Sequence, residues 1–390
     1  PAATVGSIDP ATSLTGFVRL VQVFVLVPAS VVCSLRDRTD QRLILGSFVA
    51  AALVQGVVGA HQYLTRTGAS YTGQPIRAVG TFGALDIMAM STVVSFGLLA
   101  ALALALGERG PDGNRRLRLS MYAAAAFLAF PLAVSFSRGS WIACGVAATV
   151  LALRADARLA VRSAVLATAA AVVLLGGFGL GASGVTDRLS SIGSVEAAPD
   201  QSVSDRYDLW ATAGRIWQDH PVTGAGPKAF QQLRDSHAPL RLSSGSDAAD
   251  STIGFEREPL LSPHNMYFLV LSEQGLIGAV AYLALFLTLL IGCLSSSGLG
   301  SPPGALTRRR HSSLRRSFVA SRSSLSTPAR PSARSPQPRS LAALALLTWV
   351  LVDFLYGDIG GTTTVLTSVV LGLAVRSALP GPQPGGAQQA

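Results

Sequence analysis

The feature that most constrains this chain is a series of apolar runs, each close to the length of a bilayer-crossing helix and separated by arginine-rich stretches. A helix needs roughly 20 mostly apolar residues to cross the hydrocarbon layer, fewer where it is short or tilted. About nine stretches qualify on that criterion: 17–35, 43–64, 82–106, 117–136, 137–153, 159–180, 275–294, 341–356 and 359–375. Only 13% of the residues are charged, against about 25% in an ordinary soluble domain, so much of the surface must face something other than water. Backbone polar groups in lipid must be satisfied internally, which restricts the runs to helices. The expected class is all-α: a multi-pass membrane protein with one large polar loop.

The loops alternate in charge. One set holds Arg36, Arg38 and Arg42; Arg109, Arg115, Arg116 and Arg118; Arg154, Arg158 and Arg162; the arginines between 308 and 339; and Arg376. The other set carries scattered cations over longer stretches. By the positive-inside rule the basic set is cytoplasmic. The net charge of +10 is thus a topology signal with membrane lipids as its partner, and no nucleic-acid groove is expected. Lys228 is the only lysine. Cys33, Cys144 and Cys293 lie in or beside apolar runs, in positions read as lipid-facing, with neither disulfide nor metal-ligand spacing.

The expected organisation is N-terminal spans over 1–180, an outer loop with short amphipathic helices over 181–263, and a polar helix start leading into a span over 264–294. A Ser/Arg/Pro-rich cytoplasmic loop over 295–340, expected to be disordered, precedes C-terminal spans and a disordered tail over 341–390. Residues 1–15 read as an outer loop, with further helices expected ahead of them.

Several polar residues of the outer side are costly or purposeful. Arg138, in Ser137-Arg138-Gly139-Ser140, sits in a tight turn between two spans, where a cation costs about 2.5–3.5 kcal/mol unless it snorkels or pairs. It reads equally as a lipid-phosphate anchor or as part of a built site, and Gly139 permits close backbone approach. Around Arg206, one helical face carries Val203, Tyr207, Trp210, Gly214 and Trp217, with Asp205, Asp208, Arg215 and Asp219 off it. The expectation is an amphipathic helix whose tryptophans settle at the membrane interface, with Arg206 at headgroup level or paired to an aspartate. His220-Pro221 ends that helix, and a shorter one runs through Phe230 and Leu233. Ser262-Pro263-His264-Asn265 reads as a helix start with Ser262 as cap and His264 in the first turn. The helix dipole there keeps the imidazole neutral and able to act as a general base. Glu273 and Gln274 precede Gly275, so this polar helix leads into the span. No metal cluster, phosphate-binding glycine loop or nucleophile elbow is visible in the sequence, so no cofactor is expected.

Four stretches in this order resemble the bacterial O-antigen ligase and polymerase family: Arg77-Ala78-Val79-Gly80-Thr81-Phe82-Gly83; Ser137-Arg138-Gly139; Arg206 through Trp210 and His220-Pro221 to Gly224-Ala225-Gly226 and Phe230; and Pro263-His264-Asn265 with Glu273-Gln274-Gly275-Leu276. The resemblance covers roughly residues 77–294. It implies a fold like the C-type glycosyltransferases and metal-independent transfer of a glycan from an undecaprenyl-pyrophosphate carrier to a hydroxyl acceptor (lipid, glycan or protein). By the same resemblance Arg138 and Arg206 bind the pyrophosphate with Arg77 beside them, His264 is the catalytic base, and Asn265 and Glu273 support it. The chain departs from the family at Ala84-Leu85-Asp86, in a Ser/Asp-rich insert over 237–258, and in the cytoplasmic insert. Two other classes compete: a glycan or lipid transporter without catalysis, which would bury its polar residues at the membrane midplane, and a peptidoglycan-type polymerase relying on an acidic residue such as Asp247 or Asp250.

Overall fold

The computed structural model describes residues 2–71, 76–108, 113–155, 201–242, 244–250, 254–296 and 338–379. The expected span over 159–180, residues 181–200 of the outer loop, most of the 295–340 loop and the tail beyond 379 lie outside the described residues.

The chain is mostly helical. In order the helices are α1 (Ala2–Val5), α2 (Pro10–Ser34), α3 (Arg38–Thr65), α4 (Ile87–Gly107), α5 (Arg115–Val134), α6 (Arg138–Ala155), α7 (Gln201–Asp219), α8 (Ala229–His237), α9 (Met266–Leu294), α10 (Pro338–Asp353) and α11 (Thr364–Ala378). Among the described residues, helices α2, α3, α4, α5 and α9 contain the five stretches long and apolar enough to cross a bilayer. Helices α6, α10 and α11, of 15 to 18 residues, stand at three further expected positions. This is a multi-pass membrane protein.

Helix α2 begins at Pro10, ahead of the expected residue 17, because Asp9 caps it by accepting from the amides of Ala11 and Thr12. Residues 10–15, read as loop, are therefore helix. Within α2 the ladder widens to a π turn at Gln22–Leu26, where the amide of Val27 donates to the carbonyl of Gln22. Pro28 follows one residue later, and the wider turn accommodates its missing donor and bulky ring.

Helix α4 is the centre of the bundle. Its apolar window is 89% buried, against 22–33% for the other four spans, as expected of a helix apolar on every side. Gly97 lets α4 meet α3 at Ala52 with no room for a side chain. On another face Phe96 meets Trp349 of α10 edge-on at 4.9 Å. Cys144 and Cys293 are buried in the bundle rather than lipid-facing; Cys33 is exposed.

Beside the helices the chain holds a small sheet that the sequence did not announce. Strands β1 (Ser70–Tyr71), β2 (Gly245–Asp250) and β3 (Gly254–Pro259) pair antiparallel in that order. The stretch read as a Ser/Asp-rich insert is largely this hairpin. Its buried cluster is small, Ala248 with Ala69, Val79 and Ala84, so the sequence carries almost no period-two apolar signal.

Candidate active site

The stretch around Arg77 is pinned to the bundle by glutamines of α3. Gln62 accepts from the amides of Val79 and Gly80 through Oε1 and donates to the Gly80 carbonyl through Nε2. The amide of Ala78 donates to the carbonyl of Val134, at the end of α5. Gly80 has φ +64° and lies where a side chain would strike Gln55. Arg77 itself is buried and paired through its backbone to Ala69.

Arg138 opens α6 immediately after the turn between two helices. Phe136 takes a left-handed conformation there, with φ 51°. Ser137 donates to Ser140, which hydrogen-bonds Ser91 of α4 at 2.9 Å, so the turn is tied to the central helix. A Cβ on Gly139 would lie 3.2 Å from Tyr356 Cβ, a tight contact that glycine relieves.

Helix α7 buries a different face from the one expected. Leu209, Thr212, Ala213 and Ile216 are inside, and Asp205 and Asp208 are buried with them, while Tyr207 is exposed. Asp208 accepts both Nε and Nη2 of Arg241; that pairing makes its burial tolerable. The Trp210 indole donates to the Pro263 carbonyl at 3.0 Å and stacks on Phe268. Trp217 donates to the Pro221 carbonyl. Of the expected stripe, Trp210 braces the loop before α9 and Trp217 the turn after α7.

That loop and α9 meet at a broken helix. Gly275, with φ 64° and ψ −165°, interrupts α9 and separates the Glu273 segment from the following apolar span. A break at this depth strands backbone groups that lipid cannot satisfy. The turn after α7 takes them up: the amides of Ala225 and Gly226 donate to the carbonyls of Ser272 and Glu273, and those of Leu276 and Ile277 donate to Pro221 and Val222. Gly224 (φ 73°) and Gly275 face each other across this contact, and a Cβ on either would collide with backbone. Glu273 accepts from the amide of Phe230, fixing the start of α8.

His264 is placed by the same assembly, and not as a first-turn residue. The cap of α9 is Asn265, whose side chain accepts from the amides of Tyr267 and Phe268 and donates to the Leu355 carbonyl. His264 precedes the cap with φ 47°. Ser262 accepts from the His264 amide at 3.1 Å and donates to Asp358 at 2.5 Å. The expectation of a neutral imidazole finds a different cause here. Burial holds His264 below its ordinary range and Arg206 adds to the depression, while Asp358 pulls the other way. Burial pushes the Asp358 carboxyl up, opposed by His264 and the Ser262 hydrogen bond.

These elements enclose an open cavity of about 1020 Å³. Arg77, Arg138, Arg206, His264 and Glu273 all line it, although they lie as far apart in sequence as residues 77 and 273. Asn265 acts behind the wall as a buried cap. Asp247, a candidate for an acidic mechanism, is not among the lining residues. The cavity also takes in Arg19, Lys228, Asp353 and Asp358, which sequence reasoning did not select. A signal for the two aspartates existed: in a chain this poor in charge they bracket the turn between two short apolar runs.

Residues 123–283 match the family model described as O-antigen ligase. No curated protein matches the chain.

Proposed function

We propose, from the premise that residues 123–283 form an O-antigen ligase family domain, that this membrane protein moves a glycan from undecaprenyl pyrophosphate to an acceptor hydroxyl at the outer face of the cytoplasmic membrane, in ligation or polymerisation. The observation that carries the reading is one cavity in which a histidine whose pKa is lowered by burial shares walls with Arg77, Arg138 and Arg206, from three separate segments.

Such a cavity suits inverting transfer. The acceptor oxygen attacks the anomeric carbon on the face opposite the pyrophosphate, and the glycosidic C–O bond breaks with its electron pair leaving on the carrier. The acceptor proton passes to a ring nitrogen of His264. Charge grows on the leaving phosphate as the bond breaks, and guanidinium forks meet its oxygens with paired, charge-assisted hydrogen bonds. That stabilisation acts without a metal. Asp358, beside His264, steadies the imidazolium that forms.

The test is His264→Ala in purified protein supplied with lipid-linked glycan. General-base catalysis contributes about a hundred- to ten-thousand-fold, and turnover is expected to fall by that amount while carrier binding persists. Because the His264 pKa is depressed, the wild type should stay active below the ordinary histidine range and lose rate only as pH falls further. That acidic limb should vanish in the variant. Full transfer by His264→Ala would refute the mechanism.

A further inference from the structure

The cavity has two cations that transfer chemistry at His264 does not use. Arg19 comes from α2 and Lys228 from the turn into α8, and both line the wall where those elements meet. Gly16, Arg19 and Leu20 lie on one face of α2 at the i, i+3, i+4 spacing. Across from them stand Pro227, Lys228 and Gln231. The contact is close and built: a Cβ on Gly16 would sit 2.8 Å from Pro227 Cβ and 3.2 Å from Lys228 Cγ. Ser13 donates to the Pro227 carbonyl at 3.0 Å.

Lys228 is unusual on two counts. It is the only lysine in a chain with 31 basic residues, and its backbone is left-handed, with φ 66° and ψ 6°. A side chain in that conformation costs stability, and such outliers gather at functional sites. The ammonium makes no hydrogen bond or ion pair among the described residues. Glu273, whose field reaches it, is hydrogen-bonded instead to the amides of Lys228 and Phe230. Arg19 spends one donor on the Gly360 carbonyl, at 2.9 Å, out of the five a guanidinium carries.

The pair belongs to a different wall from the residues assigned to the carrier. Arg19 and Lys228 come from the contact between α2 and the turn into α8, whereas Arg138 opens α6 and Arg206 lies on α7. We infer that Arg19 and Lys228, with Gln231 as an added donor, form a second anion subsite that takes a phosphate or carboxylate other than the carrier pyrophosphate. Its source is an anionic group on the acceptor or an anionic lipid headgroup entering from the bilayer. The inference rests on reading the cavity as a transfer site.

The full chain in phosphatidylcholine nanodiscs, titrated with inorganic phosphate by calorimetry, tests it. The wild type should show two classes of site. Lys228→Gln and Arg19→Gln should each weaken one class about tenfold or more, the loss of one charge-assisted contact, and keep the other; Arg138→Gln should do the reverse. The retained class shows that each variant is folded. Nanodiscs containing phosphatidylglycerol then identify the source: suppression of the Lys228-dependent class assigns it to headgroups, and an unchanged class assigns it to the acceptor. Isotherms of Lys228→Gln and Arg19→Gln that superimpose on the wild type overturn the subsite. If Arg138→Gln alone leaves the isotherm unchanged, the arginine part of the transfer reading fails while the subsite stands.

Discussion

Arg138 and Arg206 reach the cavity by different routes, and the routes set what a substitution would do. Arg138 is the first residue of α6, on a turn locked to α4 by serines. Arg206 stands on α7 between the buried Asp205 and the exposed Tyr207, with Asp208 also inside. Lysine in either place keeps the charge and loses the planar fork that meets two phosphate oxygens at once. Arg138→Lys and Arg206→Lys should each lower kcat/KM about ten- to a hundredfold, the worth of one charge-assisted hydrogen bond, measured with lipid-linked glycan. Asp358→Asn should also slow turnover. Asp358 raises the His264 pKa against the stronger pull of burial, so removing its charge lets that pKa fall further. The acidic limb of the pH–rate profile should then move to lower pH; a limb that stays in place would mean Asp358 does not act through His264.

At the scale of elements, the break in α9 is the joint on which the site depends. Helix α9 runs through an apolar stretch, yet it gives up its ladder at Gly275, and the turn at residues 221–226 supplies the missing partners. The conformation of Gly275 lies in a region that is essentially glycine-only, and neighbouring backbone fills the space a side chain would need. Gly275→Ala should cost about 1–3 kcal/mol or more, read as a lowered Tm in detergent. Gly145→Ala in α6 is the control: nothing stands within 4 Å of the added methyl, and alanine is about 1 kcal/mol better than glycine inside a helix, so its Tm should hold or rise. Equal effects at the two positions would remove the special role of the joint.

For the whole molecule, orientation decides whether the cavity meets a lipid-linked donor. The basic loops place Arg36, Arg115 and Arg154 on one side and the site loops on the other. Arg42 pairs with Glu108 and Arg154 donates to the Leu294 carbonyl, so the ends of α3, α4, α6 and α9 gather at the basic side. Membrane-impermeant thiol labelling from outside, in a background lacking the three native cysteines, should mark Ser244→Cys and spare Ser324→Cys. The opposite pattern would invert the topology and remove the outer-face assignment.

The helical membrane class and the candidate cations were legible in the sequence because each rests on local properties. A run of apolar residues is a helix in lipid whatever surrounds it, and an arginine beside such a run is conspicuous for its cost. Arg138 and Arg206 could be named for that reason, His264 for its place at a helix start, and Arg77 through the family resemblance alone. What the tertiary structure decided concerns partners distant along the chain. Which face of α7 turns inward depended on Arg241 reaching Asp208 and on Trp210 bracing Pro263, which no helical period encodes. The β-hairpin needed β1 and a cluster of small side chains to exist at all. His264 precedes its helix because Asn265, tied to the Leu355 carbonyl, outcompetes Ser262 as the cap. Ser262 is engaged instead with Asp358, 96 residues farther along the chain. Burial, which sets the protonation of His264, exists only once α7, α9 and the turn before α11 have closed around it.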